Sequence, residues 1–341
     1  WYLDRFHLGE NRIDKSKSLN SISFMEIKEK QNREILQAYM KYELGVTGQA
    51  VSTINRRFMC IRNFLKMLEQ KRTLAVHATA EDLSDYAKDL LEHHVQAKGF
   101  NERIYSIGHF YKFMEVREYI PKMPFRIEYF QQKVLMVHHD RSVEEIVYME
   151  VLKKLYLFPE RLRCMFLHLW CLGLRASEVC TLKGNAYYQQ GEDCWIQVYQ
   201  VKMKNYKKIP IPRALYQLMK IYLKKNEIQP EEFIFQNTKG GACLYDTFRR
   251  QMLKACRENG IANGEYIFRS HDYRHTVATM FYDNEVSLQS IRDYLGHTYE
   301  EMTRQYIDFM PKKIAQANEE FFSTQENSLA SWLRKGEQDA K

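Results

Sequence analysis

The chain has 341 residues, 45% hydrophobic and 13% aromatic, with 51 Lys+Arg against 43 Asp+Glu and a net charge of +8. That length fits two domains, and the apolar content suffices for ordinary cores, which excludes global disorder and collagen-like or low-complexity architectures. The basic excess favours a polyanionic partner, nucleic acid or an anionic membrane surface, without choosing between them.

Taken in order, residues 1–20 read as a lead-in that opens on Trp1 with no secretory leader, as in a fragment or processed product with room for a preceding arm or domain. Residues 21–120 read as a helical domain. No proline occurs before Pro121, and two sets of apolar residues recur at helical spacing: Ile54, Phe58, Ile61, Phe64, Leu65, Leu68, and then Ile104, Ile107, Phe110, Tyr111, Met114. The two helices resemble each other, since Asn55, Arg57, Ile61, Phe64 and Lys66 match Asn101, Arg103, Ile107, Phe110 and Lys112 at the same spacing. Two copies make a paired-helix domain rather than a solenoid. Pro121 and Pro124 then mark an irregular linker over 121–141.

A second domain, 142–341, opens at Ser142 with a capping-box signature completed by Glu145, and helical periodicity runs to about Leu182. The apolar run Cys164 to Leu174 is broken by His168 and is too short for a bilayer, which needs ~20 residues; it predicts a core helix and no membrane span. Alternation through Trp195 to Val201 and again at Ile209 and Ile211 predicts a β-hairpin with a basic turn. Helices follow at about 213–225, 247–259, 272–283, 288–294 and 300–309. The fold class is mainly α with one small antiparallel sheet. Seven scattered cysteines without a CxxC pair predict free, mostly buried thiols in a reducing compartment.

Four segments stand out: Leu172-Gly-Leu-Arg-Ala-Ser-Glu178, the lysine-rich turn 202–208, Ser270-His-Asp-Tyr-Arg-His-Thr276, and Leu295-Gly-His297, with Tyr306 beyond them. Each alone has a plain explanation. Arg175 and Glu178 at i,i+3 make an ordinary solvated helix pair, Lys202 protects a sheet edge, and Gly296-His297 ends a helix. Together, in this order and at these separations, they resemble the tyrosine recombinase (phage integrase) family over most of the chain. Gly-Leu-Arg-Ala-Ser-Glu is similar to the family's first arginine box, Val201-Lys-Met-Lys204 followed by Ile209-Pro-Ile-Pro212 to its hairpin, and Ser-His-Asp-Tyr-Arg-His-Thr to its second box. Thr303-Arg-Gln-Tyr306 stands where the family has its nucleophile. Two departures are visible: Tyr273 replaces the usual Leu before Arg274, and Met203 follows the hairpin lysine.

The resemblance implies a two-domain clamp on double-stranded DNA, a helical core-binding domain joined to a catalytic domain. It implies a site-specific recombinase that cleaves and rejoins strands through a 3′-phosphotyrosine, without metal, ATP or any other cofactor. It also implies a homo-tetramer on two duplexes, in the cytoplasm and on the nucleoid of a prokaryotic host. The implied roles are phosphate clamping by Arg175 and Arg274, leaving-group protonation by Lys202, base chemistry by His271, a phosphate hydrogen bond from His297 and nucleophilic attack by Tyr306. Lys204 rivals Lys202, because residues two apart on a strand share a face. Phosphate contacts are expected from Arg56, Arg57, Arg62 and Lys66 on the first paired helix, and from Arg249, Arg250 and Lys254 in the second domain. Apolar residues after the nucleophile, Leu329 and Trp332 among them, are expected to dock on a neighbouring protomer. A type IB topoisomerase would share the chemistry, but the paired-helix domain favours recombination. Two further alternatives are a non-catalytic DNA-binding relative of the same fold and a zinc protease using His271, His275 and His297; the latter leaves Arg175, the hairpin and Tyr306 unexplained.

Overall fold

The computed structural model describes residues 1–135, 141–297, 299 and 303. It divides into two compact units, one of Trp1–Val137 with Tyr199–Asn205 and one of the remainder. Tyr306, the helix expected at 300–309 (apart from Thr303) and the apolar segment with Leu329 and Trp332 lie outside the described residues.

The first unit holds four helices, α1 (Lys30–Gly45), α2 (Val51–Gln70), α3 (Ala80–Glu92) and α4 (Ala97–Val116). α2 packs along α4, and the apolar stripes of both helices meet in one core with residues of α1 and α3. A reciprocal capping box starts α3: Thr79 Oγ1 accepts from Asp82 N and the Asp82 carboxylate accepts from Thr79 N. The segment expected as a lead-in is instead part of this core. Leu3 is buried and Phe6, Leu8 and Leu19 pack against the same core, and Arg12 donates to the carbonyls of Leu44, Glu43 and Gln49. The expected linker is also partly docked, because Phe125 is buried and the Asn101 amide exchanges two 2.8 Å hydrogen bonds with the Gln132 backbone.

The rest of the chain forms α5 (Glu145–Lys154), α6 (Glu160–Leu172), α7 (Ala176–Cys180), β1 (Tyr187–Gln190), β2 (Asp193–Gln200), β3 (Asn205–Pro210), α8 (Arg213–Lys225), α9 (Tyr245–Glu258), α10 (Ser270–Asp283) and α11 (Leu288–Leu295). The fold is thus mainly helical with a three-stranded sheet in the order β1-β2-β3; β1 pairs antiparallel with β2, Tyr187 opposite Ile196. α6 is the buried central helix, and its one polar interruption is satisfied: His168 bonds to the Cys164 carbonyl and the Tyr187 hydroxyl. Burial pushes the His168 pKa down to about 4, so it is a neutral core residue.

Ser142 does not cap α5, as its side chain was expected to do. The helix begins at Glu145 after Glu144, while the Ser142 hydroxyl lies 3.3 Å from that of Thr279 on α10, and Val143 N donates to Thr276 Oγ1. Tertiary partners on α10 outcompete the local cap. Tyr273, the departure from the family pattern, is fully buried; its ring meets Phe166 edge-on at 5.0 Å and its hydroxyl accepts from Tyr266. A larger, polar residue is tolerated there because Tyr266 supplies its partner. Six of the seven cysteines are buried and none is in a disulfide. Among the described residues, no helix is long and apolar enough to cross a membrane.

Candidate active site

The site is assembled at chain reversals. α6 ends at Gly173, whose φ of +58° is the left-handed conformation glycine adopts without a Cβ penalty. A Cβ here would also crowd Val277 and Leu295 at 3.2 Å. The turn directs the Gly173 carbonyl at α10, where it accepts from Arg274 Nη1 at 2.8 Å, and it delivers Arg175 to the start of α7. Glu178, three residues on, accepts from Arg175 N and from Arg175 Nη1, both at 2.9 Å. This is not the solvated pair expected from i,i+3 spacing: the two side chains are 14% and 2% exposed.

Arg274 is fully buried. Its Nη2 donates to the Leu295 carbonyl at 2.6 Å and to His297 Nε2 at 2.9 Å. Leu295 ends α11, and Gly296, again left-handed at φ +70°, turns the chain so that His297 faces back to Arg274. His297 Nδ1 lies 3.0 Å from Thr303 Oγ1. Burial and then the cations Arg274, Arg175 and Lys207 push the His297 pKa down to about 3. His271 stands on the first turn of α10, with its ring edge-on to His275 at 5.4 Å. Loss of hydration, then His275, Arg274, Arg175 and Arg141, push its pKa down to about 4.

Five side chains from four separate segments are therefore brought together: Arg175, Glu178, Lys207, Arg274 and His297. Burial alone would raise the Glu178 carboxyl, but Lys207, Arg274 and Arg175 outweigh it and hold the pKa at about 2. Lys207 is 7% exposed and 3.8 Å from Glu178. The sequence reading did not single it out, although the signal was present. Lys207 precedes Ile209 by two in β3, so the alternation that buries Ile209 also buries Lys207.

Lys202 and Lys204 do not sit on a strand as expected. They lie exposed in the turn between β2 and β3, where Lys204 has a φ of +54°, so strand alternation does not put them on one face. The proposed DNA-contact residues divide. Arg56 and Lys66 are exposed and paired with Glu102 and Glu26; Arg57 and Arg62 are largely covered and paired with Glu43 and Glu26. On α9, Arg249 is half-buried, while Arg250 and Lys254 are exposed, Lys254 lying 3.7 Å from Glu258. Both ring nitrogens of His297 are already engaged by Arg274 and Thr303. Among the described residues, no group of three or more His, Cys, Asp or Glu is placed to hold a metal ion.

Residues 144–312 match the phage integrase family, the span that contains this cluster. Transposase B from transposon Tn554 of Staphylococcus aureus is 25% identical over 333 residues, covering 92% of this chain and 51% of the relative, so the chain spans about half that protein's length. The tyrosine recombinase XerC of Bacillus pumilus is 24% identical over 243 residues, covering 66% of this chain and 75% of the relative. Among solved structures, the XerH site-specific recombinase in its post-cleavage complex with a palindromic difH substrate superposes with a TM-score of 0.65 at 16% identity, covering 93% of this chain and 94% of that one. That likeness is one of fold.

Proposed function

We propose that the chain is a tyrosine recombinase of the phage integrase family, to which residues 144–312 are matched, and that it cleaves and rejoins double-stranded DNA at a specific site through a 3′-phosphotyrosine on Tyr306. The observation that carries the reading is the convergence of Arg175 and Arg274, a hundred residues apart, on one carboxylate: Arg175 through a 2.9 Å bond to Glu178 and Arg274 through its charge. Two guanidiniums held by buried partners form a preorganised clamp for the non-bridging oxygens of a phosphoryl-transfer transition state, where each preorganised donor is worth about 3 kcal/mol.

In the proposed reaction the Tyr306 oxygen attacks phosphorus and the bond from phosphorus to the 5′ oxygen breaks. The tyrosine proton passes to His271, and the leaving oxygen takes a proton from Lys202, so charge and protons balance without metal or nucleotide. Because the phosphodiester energy is kept in the phosphotyrosine, a second 5′ hydroxyl reverses the step on a new strand. Bound phosphate neutralises the cations that hold His271 neutral and weakly basic, and so raises its basicity when substrate is present. His297 acts chiefly on Arg274. Its neutral ring accepts from the guanidinium and orients it, a positioning role in place of the phosphate hydrogen bond implied by the family.

Non-specific phosphate contacts are assigned to Arg56, Arg57, Arg62 and Lys66 in the helical domain and to Lys204, Arg249, Arg250 and Lys254 in the catalytic domain. The two units are read as a core-binding and a catalytic domain that each bind duplex DNA in the cytoplasm, four copies on two duplexes, with Ser328 to Lys341 coupling the protomers. The deciding experiment captures covalent adducts from a pool of nicked suicide duplexes with randomised half-sites. Wild type is expected to yield a denaturant-resistant protein–DNA adduct and Tyr306→Phe none. Folded wild-type protein that forms no adduct across the pool would defeat the proposal.

A further inference from the structure

We propose that Lys207 is a positioning residue of this site, a buried ammonium that holds the segments bearing Arg175, Arg274 and His297 in register; the inference rests on the recombinase reading above. Its Nζ lies 3.4 Å from the Tyr294 carbonyl, 3.5 Å from the Leu295 carbonyl and 3.8 Å from Glu178 Oε2. Both carbonyls close the last turn of α11, where backbone acceptors lack helical partners and the helix dipole is negative, so a cation is favoured there. The Leu295 carbonyl also accepts from Arg274, and Glu178 also accepts from Arg175. One side chain on β3 therefore ties the α7 segment of Arg175 to the turn that presents His297, and meets Arg274 at a shared oxygen.

These contacts separate Lys207 from the leaving-group acid. Its ammonium faces two carbonyls and a carboxylate inside the protein, and the residue is 7% exposed, so it is built to hold structure rather than to deliver a proton to DNA. Charged or titratable groups face it from every packed element: Glu178 and Arg175 from α7, Arg274 from α10, and His297 beyond α11. Burial, with Arg274 and Arg175, pushes its pKa down to about 8 against the upward pull of Glu178. The ammonium that makes the contacts is therefore lost as pH rises through that value.

The test uses single-turnover adduct formation on two duplexes, one with the normal 5′ oxygen leaving group and one with a 5′-bridging sulfur, whose thiolate leaves without a proton. Lys207→Met is expected to slow adduct formation at least about tenfold on both duplexes while duplex affinity stays within about twofold, and Lys207→Arg to stay within about threefold of wild type. Wild-type rates in Lys207→Met would overturn the inference, as would full rescue by the sulfur leaving group, which would make Lys207 the acid itself. Should Lys207→Met not fold, the sulfur duplex is followed from about pH 7 to about pH 9.5: wild type should lose rate above pH 8 while Lys207→Arg stays level, and parallel profiles overturn the inference. If wild type itself forms no adduct, the recombinase reading fails, and the His297 ring ¹⁵N shifts then test the positioning alone. They should differ between wild type and Lys207→Arg on raising the pH through 8, and identical shifts count against it.

Discussion

Arg274 Nη2 lies 2.9 Å from His297 Nε2, and because a guanidinium only donates, His297 must accept at Nε2 and keep its proton on Nδ1, facing Thr303. The pair fixes a tautomer and a guanidinium orientation at once. His297→Ala removes one acceptor from a buried cation, a hydrogen bond to a charged group worth about 1.5–3 kcal/mol. Cleavage is expected to slow about 10- to 100-fold, and His297→Gln, which keeps an acceptor, to recover part of the loss. Single-turnover adduct rates check this; equal rates for the two variants would contradict it.

Glu178 links pH to stability. Its carboxyl falls from 4.5 to about 2 on folding, so its charged form contributes stability that is complete above the unfolded value and is lost as pH falls through the folded one. The displacement corresponds to about 3 kcal/mol. Urea melts of wild type should weaken between about pH 5 and pH 2 by roughly that amount more than melts of Glu178→Gln. Parallel pH profiles for the two proteins would rule the coupling out.

Gly173→Ala combines a left-handed φ with Cβ contacts at 3.2 Å to Val277 and Leu295. A cost of about 1–3 kcal/mol is expected. Because the Gly173 carbonyl anchors Arg274, the adduct rate should fall further than the fraction unfolded explains. Thermal melts paired with rates corrected for folded fraction test this; a loss explained by stability alone would show that the anchor does not matter.

His271 is held at about 4 in the free protein by loss of hydration and the cations beside it, so it is neutral at pH 7. A phosphate seated against Arg175 and Arg274 cancels part of that field, and the His271 pKa should rise by about 1 unit or more when cognate duplex binds to Tyr306→Phe. Histidine NMR titration with and without duplex measures it. An unmoved value would place the phosphate away from this cluster.

Much of this was legible in the chain. The apolar periodicities of α2 and α4 depend on neighbours within a few residues, and the structure gives both helices around those residues. The basic hairpin and the helix end at Gly296 are likewise local, since a left-handed φ at a helix end selects glycine whatever the fold, whereas the periodicity expected to run to about Leu182 is broken at Gly173. The docking of residues 1–20 was hidden, because a lead-in without periodicity gives no sign that Leu3 is buried or that Leu19 packs on the core. Ser142 misled for the opposite reason: its local pattern promised a cap that Thr279, 137 residues away, reassigned.

By itself, then, the sequence determined the helix-rich class, the basic β-hairpin though not the third strand β1, and the order of Arg175, His271, Arg274 and His297, because these rest on local spacing and on motifs a chain carries in one dimension. Only the tertiary structure decided that Arg175–Glu178 is a buried pair rather than a surface one. It also decided that Lys207 belongs to the cluster, while Lys202 stands in an exposed turn. Burial and electrostatic field are properties of what packs around a side chain. The five groups at this centre come from segments spread over more than a hundred residues, and their charges and tautomers are set by one another only once the fold has brought them together.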